Sequence, residues 1–296
     1  MSHPHRRRRN RARLSCAAAA LTASTLLVTG CTGDQGLPNV FPEKLTTPSD
    51  AGLAAGVGMV GDDLDARFTA LQGSVDGDIA MAYAPVGAVT ARTLGNIGAQ
   101  LAWSTIKVPL SIAALRADGS AAQRSVTPAI TESDNDAAQR LWSMLGTPEQ
   151  AADAVQSVIR EGGDAITEVP WEGADGPYVT GGQTQWELGQ QAIFADHLPC
   201  MADTGNVVDL MRHIVPDERW GLAAIDGSAS KGGWGPDDDG DYLVRQLAIL
   251  PNGTGQTAIT IAAAPHDGSF SSGISEVNTI AEWIRRNITL FPAGNC

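Results

Sequence analysis

Three short motifs carrying serine and lysine follow one another along this chain and restrict the folds that it can adopt. Ser104 and Lys107 lie three residues apart at the start of a segment with helical periodicity, so their side chains share one helical face. Ser133–Asn135 reads Ser-Asp-Asn, and Lys231–Gly233 reads Lys-Gly-Gly. Singly, each suits an ordinary helix cap, surface charge, turn or edge strand. Their joint order predicts one site assembled from three distant parts of the chain.

The first motif has the residue types that nucleophilic catalysis needs. A serine hydroxyl attacks a carbonyl efficiently only when a neighbouring group accepts its proton. Lys107 suits this task once burial or another cation lowers its pKa. Ser104 also stands at a helix N-terminus, where unpaired N–H groups favour developing negative charge. The pair therefore predicts acyl-transfer chemistry on Ser104.

Hydrophobic periodicity predicts the order helix, hairpin, block of helices, three strands and a final helix. Both ends of the chain thus supply strands to one antiparallel sheet, and an all-α subdomain is inserted between them, which makes the expected fold class α+β. The expected strands are 78–84, 88–94, 228–233, 242–250 and 257–264. The expected helices are 50–72, 104–116, 126–132, 137–145, 148–160, 184–195, 205–214 and 274–288.

With its three motifs in this order, the chain resembles the serine β-lactamases and penicillin-binding proteins. Residues 129–135 (AITESDN) are similar to the class A enzymes in particular. So is the ending, with Leu250–Gly253 at a turn between two strands and Ala281–Ile284 in the last helix. The resemblance runs from about Leu53 to Ile288 and implies the β-lactamase/transpeptidase-like fold.

The resemblance also implies catalytic roles. Ser104 would attack a cyclic amide or ester carbonyl and become acylated, while Lys107 would keep it poised and accept its proton. Ser133 would relay a proton towards the leaving nitrogen. The backbone N–H groups of Ser104 and Trp234 would form the oxyanion hole.

Substrate binding is expected from the second and third motifs. By the same resemblance, Asn135 would anchor the amide of the substrate's side chain, and Asp134 would hold its loop by internal hydrogen bonds. Lys231 would supply positive potential to Ser133 and to a substrate carboxylate. Gly233 completes the strand motif ahead of Trp234.

Deacylation in class A enzymes uses a loop glutamate that activates water. Residues 161–184, rich in glycine, proline and acids, predict a long ordered loop that contains Glu172 after a tryptophan. Glu172 is the candidate base, and Glu168 is the alternative. The plainer interpretation of Glu172 is a surface acid on a loop. The family's Leu-Asn pair that steadies the water is replaced here by Gly173–Gly176.

Other departures concern the shape and charge of the cleft. Ser104 and Ser133 are 29 positions apart, fewer than in typical class A enzymes, which predicts a more open cleft. Gly232 replaces the usual hydroxyl residue of the third motif. The acidic run Asp237–Asp241 is expected to be a solvated turn, or else to repel an anionic β-lactam at the mouth. Arg245 is a candidate to replace the lost carboxylate contact if the strand register points it inward.

The first 30 residues predict a secretory signal peptide rather than part of the fold. Six arginines precede an apolar stretch over 17–28 that is too short to span a bilayer. Leu27–Cys31 resembles a bacterial lipobox, so Cys31 is the expected lipidation site; the alternative is an ordinary signal with a chance cysteine. Residues 31–50 are then a flexible tether, and 51–296 the hydrolase domain. The expected location is the outer face of the bacterial cytoplasmic membrane.

Charge and cysteine usage narrow the partners. The net charge of −13 becomes −19 when the leader leaves with six arginines and no acid, which argues against nucleic acid as a partner and against docking on anionic lipid by charge. Membrane attachment would depend on lipid at Cys31. In an exported protein, Cys200 and Cys296 are expected to form a disulfide rather than stay as free thiols. The sequence has no closely spaced set of Cys and His residues that would predict a metal site. We expect no cofactor, and we expect the protein to be a monomer.

Three functions fit this sequence. The first is an exported serine hydrolase of the class A β-lactamase type, acting on a β-lactam or related amide. The second is a penicillin-binding D,D-carboxypeptidase or transpeptidase acting on a peptidoglycan stem peptide, favoured by the open cleft. The third is a catalytically silent lipoprotein of the same fold that binds the cell wall.

Overall fold

The computed structural model describes residues 63–171, 180–237 and 239–296. The predicted signal peptide, the lipidation site Cys31, the tether and the candidate base Glu172 lie outside these residues. Helix α1 is described over residues 63–72. No helix in the described ranges is long and apolar enough to cross a membrane.

Five strands form one antiparallel sheet in the order β2-β1-β7-β6-β5. Strand β1, from the start of the domain, pairs along its whole length with β7 from the end of the chain. The predicted α+β fold, with both ends of the chain in one sheet, is therefore confirmed. The strands are β1 Gly77–Pro85, β2 Arg92–Leu94, β5 Ala229–Pro236, β6 Tyr242–Asn252 and β7 Gly255–Pro265; β3 Gln100–Leu101 and β4 Gln185–Trp186 form a separate ribbon.

The helices follow the expected order, with differences at their ends. They are α2 Lys107–Thr131, α3 Asn135–Met144, α4 Pro148–Glu161, α5 Leu188–His197, α6 Gly205–Met211 and α7 Phe270–Asn287. The two helices predicted over 104–116 and 126–132 are parts of one helix, α2. It is kinked at Asp118, which has the non-helical angles φ −155° and ψ 89°.

Strands β6 and β7 are buried on both faces because helices cover both. On one face, Phe68 of α1 and Val277 and Ile280 of α7 pack against the sheet. On the other face, α5 packs against β1 and β7, and the block formed by α2, α3, α4 and α6 encloses a second apolar core. The site described below lies where this block meets β5.

The prediction of a helix from residue 184 is wrong at its start, because Gln185 and Trp186 pair with β3 instead. Trp186 is fully buried, and its indole N–H donates to Asp164 Oδ2 at 2.8 Å. That buried hydrogen bond fixes the ribbon, and α5 begins only at Leu188.

A disulfide joins Cys200 to Cys296, as the sequence analysis predicts. The tail is also held by a bridge between Gly294 and Gln256 of β7. The C-terminus is thereby fastened to the body of the fold.

Candidate active site

Ser104 lies in a short 3-10 turn, Trp103–Ile106, that leads directly into α2. Trp103, immediately before the serine, adopts a positive φ of 48°, which a bulky residue rarely does. Such backbone conformations concentrate at functional sites. Lys107 is the first residue of α2, one turn after Ser104.

Ser133 lies in the junction between α2 and α3 and also has a positive φ, of 56°. The junction is held by Asp134, whose Oδ1 caps α3 by accepting from the N–H of Ala137 at 2.9 Å. The N–H of Asp134 in turn donates to Pro128 O at 3.2 Å. Asp134 thus holds the loop, as its place in the second motif predicts.

Two buried lysines converge on Ser133. Lys107 Nζ donates to the carbonyl oxygen of Ser133 and to Asn135 Oδ1, the latter at 2.7 Å, and lies 3.4 Å from Ser133 Oγ. Lys231 Nζ donates to Ser133 Oγ at 2.8 Å and to Gly232 O at 2.8 Å. The structure therefore brings all three motifs into one hydrogen-bonded network, although they are up to 127 positions apart in sequence.

Strand β5 reaches this network because two of its residues lack side chains. A Cβ on Gly233 would stand 2.9 Å from both Ala102 O and Ser104 N, so only glycine lets the strand lie against the serine's backbone. A Cβ on Gly232 would stand 2.7 Å from the ring of Trp220, which fills the space beside the strand there.

The electrostatics of the lysines suit proton transfer. Burial, and then the positive charge of Lys231, lowers the pKa of Lys107 to about 7, against the opposite effect of Glu218 and Asp134. Burial lowers the pKa of Lys231 to about 8 despite the attraction of Glu218. Near neutral pH, Lys107 is therefore able to exist as the free amine that accepts a proton.

Glu218 is a member of this site that the sequence analysis missed. It ends a 3-10 turn, Pro216–Glu218, and lines the same cleft as Ser104. Burial raises the pKa of its carboxyl, and the charges of Lys231 and Lys107 oppose this rise. No motif marks it in sequence; its only signal is a proline-led turn shortly before the strand of Lys231.

The cleft has a volume of about 290 Å³. Its lining brings together most of the predicted site residues, and their roles stay predictions. The lining residues used here are Ser104, Lys107, Ser133, Asn135, Glu218 and Trp234. Trp103, Ile106, Glu132 and Gly182 also line it.

Other candidates lie elsewhere. Arg245 does not reach the cleft: it is fully buried and donates to Gln100 O, Leu101 O, Trp186 O and Gln191 Oε1. The idea that it replaces the lost carboxylate contact is therefore wrong, because its guanidinium ties the β3–β4 ribbon and α5 to the sheet.

Two acidic candidates show no contact with the cleft. Glu168 is exposed and does not line it. Asp237 Oδ1 accepts from the N–H groups of Asp239 and Asp241 at 2.9 and 3.0 Å, and these three residues are exposed, in keeping with the expected solvated turn.

Solved β-lactamase structures share the fold of this chain. One from Xanthomonas campestris has a TM-score of 0.58 at 16% identity, covering 77% of this chain and 98% of that one. The chromosome-encoded enzyme of Vibrio parahaemolyticus has a TM-score of 0.57 at 14% identity, covering 76% and 98%. A class A enzyme from Mycobacterium abscessus has 0.54 at 15%, covering 75% and 99%. No protein-family model and no curated protein matches the chain in sequence.

The chain has the class A β-lactamase fold, and the expected fold is confirmed. At these identities the likeness defines the fold alone, so function depends on the geometry of the cleft.

Proposed function

We propose that this chain is an exported serine hydrolase of the class A β-lactamase type, which forms an acyl-enzyme on Ser104. The observation that carries the proposal is the convergence of Lys107 Nζ and Lys231 Nζ on Ser133. Lys107 itself lies one helical turn after Ser104, and Ser104 and Ser133 line the same cleft. Both lysines are almost fully buried, at 2% and 1% exposure. Burying an amine costs free energy, and buried amines with shifted pKa values occur frequently at functional sites.

In the proposed acylation, Ser104 Oγ attacks the substrate carbonyl and its proton passes to the neutral amine of Lys107. The backbone N–H groups of Ser104 and Trp234 stabilise the oxyanion. As the intermediate collapses, the bond to the leaving atom breaks and Ser133 Oγ protonates that atom. Lys231, hydrogen-bonded to Ser133 Oγ at 2.8 Å, or the protonated Lys107 restores the hydroxyl proton.

Deacylation needs a water molecule and a base. Glu172 is the proposed base, and it lies outside the described residues. Glu172 accepts a proton from the water that attacks the ester carbonyl, the bond to Ser104 Oγ breaks, and the same proton passes to Ser104 Oγ, so that the acid product leaves and the serine is restored.

The second candidate function is a penicillin-binding D,D-peptidase. Between Lys107 and the Ser133 junction, the described residues form α2 alone. No additional segment there walls that side of the cleft, which favours this candidate. A more open cleft suits a peptide stem.

Attachment to the membrane through lipid on Cys31 belongs to both candidates, and metabolic labelling with a fatty-acid analogue, compared with Cys31→Ala, tests it.

The experiment compares the intact protein with Ser104→Ala and with Ser143→Ala, an exposed serine on α3 that serves as the matched control. Each is incubated with a fluorescent penicillin, a chromogenic cephalosporin and a neutral thioester. Turnover that depends on Ser104 supports the hydrolase. Stable labelling without turnover, with release of D-alanine from a stem peptide, supports the peptidase. Absence of both turnover and a covalent adduct contradicts both candidates and favours a silent binding protein.

A further inference from the structure

We propose that a groove between α2 and α3 binds a carboxylate on the acyl side of an extended peptide substrate, through Arg124 and Arg140. The inference rests on the proposed function, because it names the class of substrate that would acylate Ser104 in the second candidate, the D,D-peptidase. It is based on the position of the groove beside the cleft and on two arginines that have no acidic partner.

The groove is an open cavity of about 670 Å³ on the surface of the block of helices. Arg124 and Ser125 of α2 line one side of it, and Gln139 and Arg140 of α3 line the other. Among the described residues that line it there is no carboxylate, and Met144 adds an exposed apolar surface. These surroundings fit a ligand that carries a negative charge on a short apolar stem.

The two arginines of the groove are exceptions in an acidic chain. Acidic residues outnumber lysine and arginine by 33 to 20, and most of the described arginines pair with an aspartate or glutamate. The exposed Arg124, Arg140 and Arg219 make no ion pair with any described residue, and two of these three line the groove. The groove therefore concentrates positive charge that no acid of the described fold neutralises.

A hydrogen bond across the groove directs Arg140 away from its own helix. Its Nε donates at 3.3 Å to Oγ of the buried Ser125 on α2. Asp136 lies one turn earlier on α3, at a spacing that suits an ion pair, yet it makes none with Arg140. The two Nη groups of Arg140 have no hydrogen bond to any described residue. They form the fork from which a carboxylate accepts two parallel hydrogen bonds.

The groove continues from the cleft along the two helices. Asn135 lines the cleft, and Gln139, one turn further along the same face of α3, lines the groove. On α2, the C-cap residue Glu132 lines the cleft, and Arg124 lies about two turns before it. At a rise of about 1.5 Å per residue, Arg140 is about 8 Å along α3 from Asn135, and Arg124 is about 12 Å along α2 from Glu132.

This spacing defines where the charge of a substrate would lie. Asn135 is expected to bind the amide on the acyl side of the substrate, so the acyl side extends towards the groove. The distance to the arginines equals about three residues of an extended peptide, which advances about 3.3 Å per residue. Glu132 repels a carboxylate placed nearer, at the cleft itself. A peptide with a carboxylate about four residues before the reacting carbonyl therefore fits this surface.

The experiment uses the full protein and N-acetylated tetrapeptide thioesters that share one neutral leaving thiol and carry D-alanine at the reacting carbonyl. The residue farthest from the thioester is glutamate, glutamine or lysine, and the two residues between are alanine. A second glutamate and glutamine pair places the variable residue directly beside the D-alanine. Thiol release at low substrate concentration gives the rate constant for acylation. Each rate constant is divided by that of the matching glutamine peptide.

We expect the peptide with the distant glutamate to react about tenfold faster than its glutamine counterpart, and the lysine peptide about threefold slower. The double variant with Arg124→Gln and Arg140→Gln should bring the three rates to within about twofold and leave the rate with the neutral thioester used above unchanged. Arg219→Gln, which removes an equal charge outside the groove, is the matched control and should keep the preference. Glutamate beside the D-alanine should give no preference, because its carboxylate does not reach the arginines.

Two failures are distinguishable. Equal rates for the distant glutamate and glutamine, no reaction with any peptide thioester, or a preference that the double variant retains would overturn this inference, while Ser104 chemistry with the neutral thioester stands. Absence of a Ser104-dependent reaction with even the neutral thioester overturns the proposed function, and this inference with it.

Discussion

Acylation of Ser104 should depend on pH through Lys107, whose amine must be neutral to accept the serine proton. An unperturbed lysine has a pKa of about 10.4 and is neutral in only about one molecule per thousand near pH 7.5. Burial and Lys231 lower the pKa of Lys107 to about 7, so most molecules hold the free amine at that pH. The folded environment therefore increases the reactive form by nearly three orders of magnitude.

The direction of the dependence follows from these shifts. Below about pH 7 the acylation rate should fall roughly tenfold per pH unit as Lys107 gains a proton. Above about pH 8 the rate should fall again, because Lys231 loses the charge with which it supports Ser133. A bell-shaped profile with its maximum near pH 7.5 is expected, and its two limbs belong to the coupled lysines together.

The assay is the rate of acylation by the neutral thioester between pH 5.5 and 9.5. Glu218→Gln removes a carboxylate that raises the pKa of Lys107, so the acidic limb should move to lower pH. Glu132→Gln, which also alters the cleft lining, is the control and should leave the limb in place. A rate that is flat from pH 6 to 9, or that climbs steadily to pH 10, would refute the assignment of Lys107 as the base.

Three further changes probe the framework of the site. Gly233→Ala should push β5 away from Ser104, with a stability loss of about 2 kcal/mol and about tenfold slower acylation; Gly119→Ala, which meets no neighbouring atom, should not lower the melting temperature, because alanine favours a helix. Asp134→Ala should cost about 1 kcal/mol in chemical denaturation by removing the α3 cap, and unchanged stability would contradict the capping role. Cys296→Ser should lower stability by about 2–5 kcal/mol through loss of the bridge to Cys200; a reductant should weaken the intact protein to a similar degree and leave the variant unchanged, and a variant as stable as the intact protein would contradict the role of the bridge.

Much of the fold follows from local patterns in the sequence. Alternating and continuous apolar runs predict β1, β6 and β7. The order of the three motifs predicts that Ser104, Ser133 and Lys231 belong to one site. These features are predictable because helix and strand periods and motif order are written in neighbouring residues.

The remainder depends on contacts between distant residues. Arg245 reads as a candidate ligand, but its guanidinium binds carbonyl oxygens of the β3–β4 ribbon, which no local pattern reveals. Glu218 enters the cleft only because Val215 is hydrogen-bonded to Thr131, 84 positions earlier. Trp186 leaves the predicted helix because its indole has a buried partner in Asp164.

The central claim is that Ser104 becomes covalently acylated. Intact-mass analysis and peptide mapping after reaction with the neutral thioester at pH 7.5 test it most directly. The account predicts one acyl group, located on the peptide containing Ser104, present in the intact protein and in Ser143→Ala and missing from Ser104→Ala. An adduct on another residue, or an unmodified protein that also releases no thiol, would contradict it.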